Sequence, residues 1–181
     1  MQVLDTNIVL ILTGAPGSGK TTVAQMLAAR SERAVHLEAD RFFHFIQAGY
    51  VEPWKPESHE QNATVMRIVA EAAAGYAKAG YFTIIDGIAS PQWFYEPLRD
   101  SLRAGGHSVA YAVLQAPLAV CLARTESRAS SKLSDTVVIE RLWQDFADLG
   151  PLETHAIESR QSADATAALL AERLKTGTLL V

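Results

Sequence analysis

The stretch Gly14-Ala-Pro-Gly-Ser-Gly-Lys-Thr21 constrains this chain more than any other. It matches G-x-x-x-x-G-K-[ST], the pattern of a phosphate-binding loop, which needs a strand before it and a helix after it. Both are in place. Residues 7–14, NIVLILTG, form a continuous β-branched and leucine run, which is how a strand buried on both faces reads. Residues 19–30, GKTTVAQMLAAR, carry Val23, Met26 and Leu27 at helical spacing. Gly14, Gly17 and Gly19 permit backbone geometries that a side chain would block. Amide N–H groups can then turn inward toward phosphate oxygens. The helix N-terminus adds partial positive charge. Lys20 brings an ammonium to the β and γ phosphates, and Thr21 offers a hydroxyl to Mg²⁺. Ala15, Pro16, Ser18 and Thr22 complete the expected nucleotide-binding segment.

Beyond the loop, strands and helices alternate. AVHLEA (34–39) reads as a second strand and DRFFHFIQAG (40–49) as a short helix that Gly49 can end. Ser58 and Gln61 have capping-box spacing. A long helix follows through Met66, Val69, Ala73 and Tyr76 to Gly80. YFTIIDG (81–87) is a third strand, and Pro91 opens a helix that runs to Gly105–Gly106. HSVAYAVLQ (107–115) is a fourth strand, with a helix from Pro117. TESRASSKLSD (125–135) is small and polar, a flexible loop. TVVIERLWQDFADLG (136–150) is a helix with Val138, Leu142 and Phe146 on one face, stopped by Gly150–Pro151. THAIES (154–159) is a weak fifth strand, and ADATAALLAERLKTG (163–177) closes the chain as a helix. Alternation of this kind predicts an α/β fold, a parallel sheet with helices on both faces. With no repeat and no linker, residues 1–181 read as one domain.

Composition narrows the partners. A net charge of −4 argues against bulk nucleic-acid binding, which needs a basic face. The one cysteine, Cys121, falls in the apolar run LAVCLAR and reads as a buried core thiol. It cannot form an internal disulfide, which suggests a reducing compartment. The N-terminus has no basic region of a signal peptide, and no apolar run is long enough to span a bilayer. A soluble cytoplasmic protein, monomer or homodimer, with no nucleic-acid or membrane partner is expected.

Several P-loop classes are disfavoured. A GTPase needs a base-reading Asn-Lys-x-Asp after a later strand, and the fourth and fifth strands offer none. A motor or AAA-type ATPase needs more chain, and neither the third nor the fourth strand ends in Asp-Glu. The motifs GAPGSGKT, LEAD, IIDG and CLARTESR, then the last strand and loop, occur in the order of a small kinase. Over nearly its whole length the chain resembles the small P-loop kinases related to shikimate and gluconate kinases and chloramphenicol phosphotransferase. The resemblance implies a P-loop NTPase three-layer sandwich with a five-stranded parallel sheet in order 2-3-1-4-5. It also implies a substrate-binding region at about 40–62 and a short lid at about 124–135 over ATP.

Candidate site residues follow. Shikimate kinases carry Asp-x-Asp at the end of the second strand, where this chain has Glu38-Ala39-Asp40. Residues two apart in a strand share a face, so both carboxylates can look into one cleft. The resemblance implies that Asp40 contacts the acceptor hydroxyl as base or orienter, with Glu38 nearer the magnesium shell. As a residue type Asp40 is equally a favoured N-cap for the next helix. Asp86 stands where related kinases keep an acid that holds Mg²⁺ through water, and Asp-Gly is also a common turn. Arg124 and Arg128, four apart, share a helix face. As lid residues they could stack on adenine and clamp the γ-phosphate; the other reading is a solvated face. Lys132 is a further lid candidate, and Arg160 in the last loop is a candidate adenine stacker.

For the acceptor, Arg41, Phe42, His44, Trp54 and Asn62, with Trp93 after the third strand, combine aromatic walls with polar anchors. That mixture suits a small organic ligand, at the end of the sheet where open α/β folds bind ligands. The rings could equally serve only to pack helix on sheet. No metal-ligand spacing joins the histidines. The expectation is an ATP-dependent, Mg²⁺-requiring kinase acting on a small-molecule hydroxyl. The alternatives are a nucleoside or nucleotide kinase and a nucleotide-sensing switch. DGIASP lacks the arginine that often follows this Asp-Gly in nucleoside-monophosphate kinases.

Overall fold

A computed structural model describes residues 7–127, 135–159 and 162–181. Strand β1, Ile8–Thr13, is buried at every position, as its unbroken apolar run requires. It is central in a parallel sheet with β2 (Ala34–Glu38), β3 (Phe82–Asp86), β4 (Ser108–Gln115) and β5 (Ala156–Glu158). The order is β2-β3-β1-β4-β5, the P-loop order that the kinase resemblance implies.

Alternation along β1 divides the core in two. Leu10 and Leu12 pack with Val23 and Leu27 of α1 (Lys20–Ala28) and Leu170 and Leu174 of α7 (Ala163–Lys175). Val9 and Ile11 face the opposite layer. There they meet Val69 and Ala73 of α3 (His59–Lys78), Leu98 and Leu102 of α4 (Tyr95–Ala104) and Cys121 of α5 (Leu118–Glu126). Full burial of each such aliphatic chain contributes roughly 1.5–3 kcal/mol. α1 follows β1 onto one face and α4 follows β3 onto the other. A crevice therefore opens between the carboxyl ends of β1 and β3. Two short helices flank it, α2 (Ala39–Phe43) and α6 (Thr136–Gln144).

Helix ends depart from the sequence pattern. α2 stops at Phe43 instead of reaching Gly49. The capping box expected at Ser58 and Gln61 does not form. Ser58 Oγ donates to the carbonyls of Pro53 and Lys55, and Gln61 turns to the backbone of Val51. α4 begins at Tyr95, four residues past Pro91, because Phe94 takes a left-handed conformation at φ 57°. α6 ends at Gln144, although Phe146 beyond it is still buried. Met26 and Tyr76, expected on core faces, are 37% and 44% exposed. Cys121 is fully buried, as expected. Among the described residues no helix is long and apolar enough to cross a membrane.

Candidate active site

The phosphate loop is held from two sides. A Cβ on Gly14 (φ 139°) would lie 2.3 Å from the carbonyl oxygen of Leu114 on β4. One on Gly17 (φ 80°) would lie 2.4 Å from the carbonyl oxygen of Cys121 on α5. Close approach and positive φ together explain glycine at both positions. Gly19 is the N-cap of α1. Lys20 Nζ donates to the carbonyls of Gly14 (2.9 Å) and Ala15 (3.1 Å), so its ammonium arches over the loop. Arg124 Nη1 donates to Gly17 O at 3.2 Å, fastening the last turn of α5 to the same loop. Pro16, Gly17, Lys20 and Thr21 line a cleft of about 610 Å³, a volume typical of small-molecule sites. Gly14, Ala15 and Ser18 are buried beneath it, whereas Thr22 is exposed on α1 and does not line it.

Four acids reach the same cleft, and three of them, Glu38, Asp40 and Asp86, lie at or just beyond the ends of β2 and β3. Glu38 ends β2, but Asp40 is already inside α2, so strand alternation does not relate them. Nor does Asp40 cap the helix: Glu38 holds the N-cap position and makes no side-chain capping bond. Asp40 opens onto the cleft, yet protein encloses it closely enough that lost hydration raises its pKa above the ordinary carboxylate value. The Lys20 ammonium opposes that rise; Asp86 adds to it, His44 opposes it, and Glu38 adds to it. Asp86 is 4% exposed, and its Oδ2 lies 3.1 Å from His36 Nε2. Nothing in the spacing singles out His36. It meets Asp86 because β2 and β3 run parallel with Glu38 opposite Asp86, which puts residues 36, 38 and 86 on one face.

The acceptor-side candidates divide. His44, Trp54, Asn62 and Trp93 line the cleft. Arg41 and Phe42 do not. Arg41 is 71% exposed and pairs with Glu38 at 3.0 Å. Phe42 packs edge-on against Phe45 at 5.9 Å in a separate groove with Val65 and Ile68. One wall of the cleft is a strap, residues 50–58, stapled to α3 by polar side chains. Gln61 accepts from Val51 N (2.9 Å) and donates to Val51 O (2.7 Å). Asn62, 2% exposed, donates to Pro53 O and Ser58 Oγ, both at 2.8 Å. The strap presents Tyr50 and Trp54. Trp93 meets Phe94 edge-on at 4.8 Å, and Phe94 stacks on His59 at 5.7 Å. A non-glycine residue at positive φ costs about 1–3 kcal/mol, and such strain collects at functional sites.

α6 supplies a wall that spacing alone did not reveal. Trp143 Nε1 donates to Ala116 O at 2.8 Å, anchoring the helix beside β4. Arg141, Leu142 and Asp145 then line the cleft. Burial raises the pKa of Asp145, with Arg141 opposing. Arg128, Lys132 and Arg160 lie outside the described residues.

Mg²⁺ takes hard oxygen donors, typically one or two carboxylates plus substrate phosphates. Thr21, Asp86 and Glu38 offer such oxygens around the loop, and His36 engages only one oxygen of Asp86. Among the described residues no cluster of three or more His, Cys, Asp and Glu could hold a metal alone. The donor set fits a magnesium ion shared with nucleotide phosphates.

A family model described as an AAA domain matches residues 9–149. A chain of this length was expected to exclude AAA-type ATPases; at the level of the family description the match corrects that. No curated protein matches the chain in sequence. Among solved structures, an unliganded sugar kinase from Janibacter sp. HTCC2649 is 26% identical, with a TM-score of 0.66 over 94% of this chain and 96% of that one. The Mycobacterium tuberculosis APS kinase CysC, in complex with AMPPNP and APS, is 18% identical with a TM-score of 0.71, over 96% and 99% of the two chains. Shikimate kinase from Acinetobacter baumannii, in complex with shikimate, is 21% identical with a TM-score of 0.59, over 94% of each. The last two are likenesses of fold.

Proposed function

The chain belongs to the AAA-domain family of P-loop proteins, and from that premise we propose that it is an ATP-dependent kinase acting on a hydroxyl of a small molecule. The observation that carries this reading is the placement of Asp40. Its carboxylate opens onto the cleft that Lys20 and the phosphate loop line, between walls bearing Trp54 and Trp93. A nucleotide-sensing switch has no use for a carboxylate there.

The loop amides and Lys20 take the β and γ phosphates of ATP. Thr21 and Asp86, with Glu38 beside them, would hold Mg²⁺, which would supply neutralising charge to the phosphate oxygens. Asp40 accepts the proton of the acceptor hydroxyl. The freed oxygen attacks the γ-phosphorus as the bond to the β–γ bridging oxygen breaks. ADP departs with that electron pair, the product is a phosphate monoester, and Asp40 returns its proton to solvent. A carboxylate whose pKa is raised is a better proton acceptor near neutral pH than an ordinary one. In this reading Arg124, which donates to Gly17 O of the loop, stabilises the transferring group, and Arg128 and Arg160 are assigned to the γ-phosphate and to adenine as the kinase resemblance implies. His44, Trp54, Asn62 and Trp93 hold the acceptor. Because the transition state is loose, positioning and charge stabilisation supply most of the rate. The buried thiol of Cys121 accords with a reducing, cytoplasmic setting.

The test is transfer of label from γ-labelled ATP to pooled hydroxylated metabolites and antibiotics, with Asp40→Asn as control. We expect a labelled phosphate ester from the native protein and none from the variant, which still binds ATP. An ATP-saturated protein that labels nothing would sink the kinase reading in favour of the switch.

A further inference from the structure

Charge around the acceptor end of the cleft restricts what can occupy it. Beyond the phosphate loop the lining comes from the strap with Tyr50 and Trp54, the turn with Trp93, and α6 with Arg141 and Asp145. Two carboxylates, Asp40 and Asp145, open onto this space from opposite parts of the chain. Both are partly desolvated, which raises the pKa of each. Among the described residues, four carboxylates line the cleft, Glu38, Asp40, Asp86 and Asp145, against the cations Lys20, Lys55 and Arg141; Lys55 is paired with Glu52 at 2.8 Å, so acids outnumber the basic groups. Lys20 is engaged with the phosphate loop.

A ligand carrying a carboxylate or phosphate would bring like charge toward Asp40 and Asp145 where water screens poorly. Hydroxyl and ammonium groups do the opposite, because they donate charge-assisted hydrogen bonds to carboxylates. The indole faces of Trp54 and Trp93 add flat apolar surfaces for a ring, and attract a cation if the ring carries one. We infer that the acceptor is a polyhydroxylated ring compound, uncharged or bearing an amine, and that Asp145 selects it against carboxylated and phosphorylated analogues. The inference rests on the kinase reading and deepens it. Asp145 acts in binding and takes no part in the transfer step.

The experiment separates a metabolite extract on ion exchangers into anionic, neutral and cationic pools before each meets the full-length protein and γ-labelled ATP. Label is expected in acceptors of the neutral or cationic pool. Label entering chiefly the anionic pool overturns the inference and leaves the kinase reading standing. Label in no pool, with ATP bound, ends both. With a labelled acceptor purified, Asp145→Asn is expected to raise its KM at least tenfold while the KM for ATP is unchanged. Asp145→Lys is expected to shift the kcat/KM ratio of anionic to neutral acceptors upward at least tenfold. A ratio that stays constant in both variants, each binding ATP normally, overturns the role of Asp145.

Discussion

A carboxylate placed like Asp40 is in tension with stability. Burial raises its folded-state pKa above the unfolded value of about 3.9. Between those two values the folded protein binds more protons than the unfolded chain. Stability therefore falls as pH rises through that window and stays reduced at neutral pH. Asp40→Asn removes the charge at constant shape. We expect its Tm to rise relative to the native protein at pH 7, with little difference below about pH 3. Turnover is expected to fall by roughly a hundred- to ten-thousand-fold, the usual contribution of a positioned base. Calorimetry at the two pH values and steady-state kinetics read the two effects. A lower Tm at pH 7 would mean that Lys20 stabilises the Asp40 charge more than burial penalises it. For the same reason, the acid limb of kcat/KM for the proposed transfer should lie above the ordinary carboxylate range. Lys20 and Asp40 were legible as residue types at a known place on a strand-loop-helix frame. Arg41 and Phe42 were misplaced because neighbours in a helical turn point about 100° apart. Adjacency to Asp40 sends them to solvent and to another groove. His36 and Asp145 carry no local signal at all. One reaches the site by strand register and the other by the docking of a helix.

Elements were legible in their middles and less so at their ends. Apolar runs located the strands, whereas α2, α4 and α6 end or begin where long-range packing decides. Gln61 illustrates the difference: its local spacing suggests a cap, but its amide is used to fix Val51 ten residues away. Gln61→Leu removes two hydrogen bonds, each contributing about 0.5–1.5 kcal/mol. The strap that carries Tyr50 and Trp54 then loosens. We expect the acceptor KM to rise roughly tenfold with the KM for ATP unchanged; equal effects on both would remove the strap from the acceptor site. The loop–α5 contact is tighter still. Gly17→Ala sets a Cβ 2.4 Å from the Cys121 carbonyl at a strained φ of 80°. It should cost roughly 1–3 kcal/mol and weaken ATP binding, since either α5 or the loop must move. Gly75 is the counterexample inside α3, with nothing within 4 Å of an added Cβ. Gly75→Ala should stabilise the protein by roughly 0.5–1 kcal/mol in denaturant titration.

At the scale of the molecule, the strand order is what turns scattered motifs into one site. Alternation of strands and helices predicts a parallel sheet but not its order, which here came from the kinase resemblance. Physically, β1 is central because it is buried on both faces and paired along both edges. The loop after β1 then shares a crevice with Asp86 at the end of β3, and β2 brings Glu38 and Asp40 alongside. The cleft walls come from residues 16–21, 38–44, 50–66, 86–93, 125 and 141–145, segments far apart along the chain. A ligand bridging those segments stabilises the folded state as a unit, by RT ln(1 + [L]/Kd), about 2.7 kcal/mol at a hundredfold excess over Kd. For a domain of this size each kcal/mol moves Tm by about 2–4 °C. A non-hydrolysable ATP analogue with Mg²⁺ is therefore expected to raise Tm by roughly 5–10 °C. If Asp86 and Glu38 hold the ion as proposed, chelating it should shrink the shift, because bare carboxylates would then oppose the phosphates. Lys20→Ala should abolish most of it, since it removes the ammonium that arches over the loop where the phosphates bind. A full shift retained in Lys20→Ala would mean that nucleotide is held elsewhere, and the assignment of the loop would fall with it.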